Sequence, residues 1–355
     1  MPLVLFSPLM WRVPQTAELA MQVRTPAVLA AYRCGHSLVC CAAPWRATLL
    51  AGEFESIESA LQVRADPSFP AAAWRDAVLM QHPPGVVRQP HGQCAILDPS
   101  ERLCRLQRSA GLQTLPVSCR NFPRSVVATP AGLEIAFTLA CPTAARTVTQ
   151  TPAALVWQSS AAVQCPYPPV RTVGDRVAMS RVVDWNWSEF DDFRAQWWRS
   201  LGNVASGAEL AALLLAMIEQ PLQPPRPLSL RSHSELVGPW TQLQVRAVTE
   251  GLAHLHDTGQ AHRAAQRDYW PQWLATPDHT QVLATFEQHT AVLASHASLV
   301  LQHAAVHDGL PAAEGIARAA RQTVAVARAL QVLNGQPQGI RDALIAAAHW
   351  ARGLS

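Results

Sequence analysis

The chain has 355 residues and no lysine: all 28 basic side chains are arginine. Schiff-base chemistry and a lysine general base are therefore excluded. A coding bias that also enriches alanine, arginine and proline accounts for the absence, and avoidance of self-modification by an enzyme acting on lysines is the sharper alternative. Phosphate-cradling signals are missing as well. There is no Gly-x-Gly-x-x-Gly turn, no Walker loop and no strand-helix alternation of a doubly wound sheet, so a nucleotide-containing cofactor would have to bind by another means. Nor is there a Gly-x-Ser-x-Gly elbow, a His-Glu-x-x-His helix or the three-cysteine spacing of radical enzymes, which leaves ordinary hydrolase chemistry without a foothold.

The net charge is small as well. A formal net charge of +3 is too small and too dispersed to point to nucleic acid. The first ten residues lack a basic n-region, and their short apolar run is broken by proline, so neither a signal peptide nor a membrane span is expected. A cytoplasmic, bacterial-type protein is the default. In that compartment the eight cysteines, among them the adjacent Cys40 and Cys41, read as metal ligands or reactive thiols rather than disulfides.

What is present is organised around those cysteines. Leu133, Ile135, Phe137 and Leu139 alternate with Glu134, Ala136 and Thr138 in the two-residue period of a strand. Thr129-Pro130-Ala131-Gly132 is a turn signal, so residues 125–129 should fold back on 133–139 and bring Cys119 and Cys141 to the hairpin base. A smaller copy precedes it, where Cys94 and Cys104 flank the turn at Asp98-Pro99-Ser100-Glu101. Helices are expected over 53–64, over 103–110 up to the stop at Gly111, and for a turn or two after Pro142. Residues 11–30 read as a loop and a helix entry, and 66–93 as irregular chain whose Trp74 and Met80 pack on the cysteines. Cys165 reads as a lone buried thiol.

Beyond Asp184 the spacing of Ala, Leu, Val and aromatic residues is helical over 187–198, 206–219, 235–256, 280–307, 311–333 and 339–352. His289, His296 and His303 recur every seven residues, but two helical turns of about 10.5 Å are too long for two of them to share one ion. Surface or core histidine is the favoured reading. The expected fold is α+β: a cysteine-rich module with short β-hairpins and helices over 1–150, a Pro-rich linker over 151–184 and an α-helical domain over 185–355.

One family shares this series of motifs. Cys34, Cys40-Cys41-Ala42-Ala43-Pro44-Trp45-Arg46, Gly92-Gln93-Cys94-Ala95-Ile96-Leu97, Leu103-Cys104-Arg105-Leu106-Gln107, Cys119-Arg120-Asn121-Phe122-Pro123-Arg124 and Leu139-Ala140-Cys141-Pro142-Thr143-Ala144-Ala145-Arg146 together resemble the flagellin lysine-N-methylase (FliB-type) family, within the cysteine-cluster zinc- or iron-chelating proteins. The resemblance covers about residues 30–150. It departs in two places: the family's further cysteine between Cys34 and Cys40 is missing, so that either His36 stands in or the site has one thiolate fewer, and Thr143 replaces the glutamate of Cys-Pro-Glu-Ala-Ala-Arg.

The resemblance implies an iron-sulfur protein, with a 4Fe-4S cluster and S-adenosylmethionine as cofactors, that methylates lysine side chains of a protein substrate such as flagellin. The candidate metal ligands are Cys34, Cys40, Cys41, Cys94, Cys104, Cys119 and Cys141; thiolates select Fe-S or zinc over hard cations because sulfur is soft, and zinc is the alternative metal. Arg120, Arg124 and Arg146 are candidates for the cofactor carboxylate through their planar donor forks, or else they hold the cysteine loops. Methyl transfer needs a neutral amine and hence a base or a desolvated channel. Asp98 and Glu134 lie near, but a turn and an outward strand position favour solvation, and packing is the favoured role for Trp45. The alternative function is a non-catalytic zinc- or Fe-S-binding module that docks a partner through its helical half.

Overall fold

The computed structural model describes residues 21–29, 32–34, 41, 47–80, 85–88, 90, 94–98, 100–101, 103–150, 157–162, 167–225, 279–302, 306 and 310–332. Helices and strands mix in an α+β arrangement centred on a five-stranded sheet. Its members are β1 (Met21–Pro26), β6 (Arg124–Thr129), β7 (Gly132–Phe137), β8 (Trp157–Ala162) and β9 (Arg171–Thr172), in the order β8-β1-β7-β6-β9.

The hairpin β6-β7 forms where alternation and turn chemistry predict it, with Arg124 opposite Phe137 and Thr129 opposite Gly132. Gly132 has φ +119, and a Cβ there would collide with the Gln22 carbonyl oxygen, so β1 can approach β7 only because this residue is glycine. β1 then runs parallel to β7 and antiparallel to β8. The expectation of a loop and helix entry over 11–30 is thus corrected for 21–26, which is an interior strand; Val23 and Thr25 do alternate with Gln22 and Arg24, but the run is short and ends in Pro26. The segment 151–184, expected as a linker, supplies β8 and β9 to the sheet and then a small hairpin, β10 (Arg176–Ala178) with β11 (Asp184–Asn186). Pro168 and Pro169 lie outside these strands, where they interrupt no ladder.

One face of the sheet meets helices. α6 (Trp187–Gly202) opens with a capping box in which Asn186 accepts from the Glu189 amide and Glu189 accepts from the Asn186 amide. α7 (Gly207–Glu219) is capped by Ser206, and its first residue lies so close to α8 (His279–Gln302) that a Cβ on Gly207 would collide with the Glu287 backbone. α8 breaks at His289, with φ −122 and ψ 21, and packs on α7, on α6, on β7 and on α9 (Ala312–Val332). Enclosure on several sides explains why apolar and small residues occupy nearly every position from Val292 to Leu301. The predicted helices over 187–198, 206–219, 280–307 and 311–333 correspond to these four, while those over 235–256 and 339–352 fall outside the described residues. One apolar core runs from Val23 on the sheet to Leu330 on α9.

A second, smaller core is built from α1 (Glu53–Arg64), α2 (Ala71–Ala77), the strand pair β2 (Val78–Leu79) and β3 (Val86–Val87), the hairpin β4 (Leu97–Asp98) and β5 (Leu103–Cys104), and α3 (Arg105–Ala110). Trp74 is fully buried at its centre, as expected, and stacks on Phe54, whereas Met80 is largely exposed. The stretch 66–93 is less irregular than its prolines suggest, since it contains α2 and both strands of the β2-β3 pair. Glu53 joins this core to α4 (Val117–Asn121), accepting from the Val117 amide at 2.7 Å and from the Leu50 amide at 2.6 Å.

Candidate metal centre

Two of the predicted ligands pack against the smaller core and a third is bonded to one of them. The Cys94 amide donates to the Cys41 carbonyl at 2.8 Å, Cys104 pairs with Leu97 across the β4-β5 hairpin, and Cys94 and Cys104 both pack against the core as half-buried side chains. The hairpin is legible from its turn: the Asp98 side chain accepts from the Ser100 amide at 3.1 Å and hydroxyl at 2.6 Å, and from the Glu101 amide at 3.2 Å. Those bonds, the Ser100 hydroxyl first, hold the Asp98 carboxyl below its ordinary pKa. Asp98 is thus a turn residue, as the sequence indicates.

The hairpin base of the main sheet gathers a second set. Cys141 follows β7, is 4% exposed, and its sulfur lies 3.2 Å from the Tyr32 hydroxyl. Cys34 is exposed two residues beyond Tyr32. Burial pushes the Tyr32 pKa up; the hydrogen bond to Cys141 and the negative charges of Cys141 and Cys34 act the same way. Cys119 is exposed on α4, the short helix that leads through Phe122 and Pro123 into β6. At the base itself the Thr138 amide donates to the Pro123 carbonyl at 2.9 Å.

Among the described residues no three His, Cys, Asp or Glu side chains form a group that would hold a metal ion. Cys40, His36, Trp45 and Cys165 lie outside those residues. The cysteine sulfurs are donors that suit a soft metal such as iron or zinc over hard cations. The described cysteines fall in two regions: Cys94 and Cys104 pack on the smaller core, with Cys41 bonded to Cys94 through the backbone, and Cys34 and Cys141 lie about Tyr32, with Cys119 on the helix between them in sequence.

The three candidate arginines have different surroundings. Arg124 donates to the Tyr32 carbonyl at 3.0 Å, and its guanidinium carbon lies 4.4 Å from the Tyr167 ring centroid, 4.8 Å from Tyr32 and 5.4 Å from Phe137. It thereby holds the segment carrying Cys34 against the hairpin base, the structural role named for it above. Arg120 donates through Nη1 to the Gln113 carbonyl at 3.1 Å, while its Nε is buried without an acceptor. Arg146 is exposed on α5 (Pro142–Gln150).

Glu134 requires a correction. Its outward strand position predicts solvation, yet it is 2% exposed, because the sheet's second face is covered by α6 and α8. It pairs with Arg194, 1% exposed, through both carboxylate oxygens, with the Arg194 Nη1 to Oε2 bond at 2.8 Å. Arg24, its neighbour in register on β1, lies 3.4 Å away and binds Asp191 at 2.7 and 3.0 Å. Gln302 of α8, fully buried, completes the group at 3.4 Å. Trp187, Phe190 and Trp198 lie around the Arg194 guanidinium at 4.8 to 5.1 Å. Two carboxylates face two guanidiniums, so the buried Glu134 and Arg194 are each met by hydrogen-bonding partners. The sequence signal that would have found it is an arginine inside the buried stripe Phe190, Phe193, Trp197 and Leu201.

The heptad histidines are core residues where described: His289 and His296 are both buried, and the His296 Nδ1 lies 2.9 Å from the Thr323 hydroxyl. No described helix is long and apolar enough to cross a membrane. No family model, no curated protein and no solved structure matches the chain.

Proposed function

We propose that the chain is a thiolate-ligated iron-sulfur protein that transfers methyl groups from S-adenosylmethionine to lysine side chains of another protein, the activity its cysteine motifs resemble. What supports a metal is that segments remote in sequence meet where they carry cysteine: the amide of Cys94 is bonded to the carbonyl of Cys41, and Cys94 and Cys104 pack on one core. Cys34, Cys40, Cys41, Cys94, Cys104, Cys119 and Cys141 are the residues from which the ligands would be drawn. When bound, a cluster with one iron left open by the protein supplies a chelating point for the amino and carboxylate groups of the methyl donor.

The chain's own part is to hold the thiols and to receive that carboxylate. Arg124 is committed to Tyr32 and three rings, so Arg120, with its buried unpaired Nε, and the exposed Arg146 are the better partners.

Anaerobic purification followed by iron, zinc and acid-labile sulfide analysis tests the cluster. Brown protein with matching iron and sulfide is expected, and colourless protein carrying zinc would overturn the iron-sulfur assignment. Transfer is tested by incubating the cluster-replete protein with labelled S-adenosylmethionine and a lysine-bearing acceptor such as flagellin. Because the chain itself has no lysine, label recovered as methyl-lysine comes from the acceptor alone. A cluster-replete sample that labels no acceptor would sink the methylase.

A further inference from the structure

We propose that Asn121 is a binding residue whose side-chain oxygen accepts a hydrogen bond from the amino group of the methyl donor, beside Arg120, whose Nε donates to the carboxylate of the same molecule. This rests on the methyl-transfer reading and adds to it a residue for which the motifs give no role; it does not depend on which thiols hold a metal. Asn121 is 1% exposed at the end of α4. Its Nδ2 donates to the Pro168 carbonyl at 2.8 Å. A carbonyl only accepts, so the group facing Pro168 is the amide nitrogen and the atom left over is the oxygen. That Oδ1 is buried without a hydrogen-bond partner, and so is the Nε of Arg120, the residue before it. Buried polar atoms in native proteins are nearly always paired. Here two on adjacent residues are not, and their senses are opposite: one only accepts, the other only donates.

A guest that satisfies both atoms has to bring a donor and an acceptor. The amino-acid end of S-adenosylmethionine carries an amine and a carboxylate on one carbon; a neutral amide oxygen suits the first and a guanidinium N–H the second. The anchors are independent of the guest. Pro168 follows Tyr167, whose ring centroid lies 4.4 Å from the Arg124 guanidinium carbon, and Phe122, next after Asn121, packs against the larger core. At the other end of α4 the Val117 amide is bonded to Glu53 at 2.7 Å, while Arg120 Nη1 is bonded to the Gln113 carbonyl at 3.1 Å. Each side chain is thus fixed through atoms other than its orphaned one and keeps its place whether or not a guest is bound.

The test is isothermal titration calorimetry of the anaerobically purified protein with S-adenosylmethionine, with its analogue lacking the amino group, and with decarboxylated S-adenosylmethionine. The wild type should prefer S-adenosylmethionine to each analogue by about 10- to 100-fold, the worth of a hydrogen bond to a charged group. Asn121→Ala should narrow the gap to the deaminated analogue alone, and Arg120→Met the gap to the decarboxylated one alone, at unchanged circular dichroism. A purely structural Asn121 lowers the affinity for all three ligands equally, which overturns the inference. Wild-type protein that binds the three alike also overturns it, and ordered water then fills both positions. Where Asn121→Ala does not fold, the wild-type preferences and Arg120→Met decide. Either adverse result with acceptor labelling intact leaves the methylase reading standing, whereas wild-type protein that binds no S-adenosylmethionine overturns both.

Discussion

Acidification should destabilise the helical half through His296. Its ring is 1% exposed on the enclosed helix α8, and the hydrogen-bond pattern fixes its tautomer. The Thr323 hydroxyl gives its one proton to the Ala319 carbonyl at 2.9 Å, so the Thr323 oxygen accepts from Nδ1–H and the basic lone pair remains on Nε2. Burial pushes the His296 pKa down from 6.5 to about 3. The unfolded chain therefore takes up a proton that the folded chain refuses, and stability falls as pH drops below about 6.5 until the folded form also protonates near 3. At about 1.4 kcal/mol per pH decade, the loss is about 2 kcal/mol at pH 5 and roughly 5 kcal/mol in full. His289, whose pKa burial also lowers, adds to it with the same sign. The assay is urea unfolding by circular dichroism from pH 7.5 to 4.5 on the wild type and on His296→Gln, whose amide can still donate to Thr323. Carboxylates titrate in both proteins, so the difference isolates the imidazole. The wild type should lose about 2 kcal/mol relative to the variant between pH 7 and pH 5; parallel curves would refute the reasoning.

Three further perturbations follow from named contacts. Glu134→Gln leaves Arg194 buried against a neutral partner and should cost about 3–5 kcal/mol in urea unfolding; Glu134→Leu with Arg194→Met should recover much of that loss, and a double variant as unstable as the single one would contradict the argument. Gly207→Ala drives a methyl into the Glu287 backbone and should cost about 1–3 kcal/mol, whereas Gly202→Ala at the end of α6 serves as the control; equal thermal midpoints for the two would count against the close crossing. Asn186→Ala removes the acceptor of the Glu189 amide and should cost about 1 kcal/mol by thermal melting, with Asn186→Asp nearly neutral.

Local pattern carried the β6-β7 and β4-β5 hairpins, the helix over Glu53–Arg64 and the starts of α6 and α7, because each is specified by a turn, a cap or a period within about a dozen residues. The places where it failed share one cause. β1, β8 and β9 owe their existence to partners more than a hundred residues away or on the far side of a turn-rich stretch, and nothing in Trp157–Ala162 announces that Met21–Pro26 will pair with it. Glu134 was misplaced for the same reason. Alternation along a strand says that two faces differ, but whether the second face meets water or a helix depends on α6 and α8, which follow far downstream.

The cysteines fall between these cases. The β4-β5 hairpin pairs Cys104 with Leu97, and the β6-β7 hairpin brings Thr138, three residues before Cys141, to the Pro123 carbonyl, both short-range consequences of turns. Joining the two sets is a long-range matter, and the contacts that bear on it are Glu53 reaching the Val117 amide and Arg124 clamping the Tyr32 carbonyl. Neither belongs to a metal-binding pattern, yet each fixes a segment that carries a thiol. If one metal centre draws on both sets, Glu53→Gln and Arg124→Gln should lower bound iron together, although the two residues touch different cores and neither has a sulfur to offer. Iron content that falls in only one of them would assign the metal to that residue's set alone.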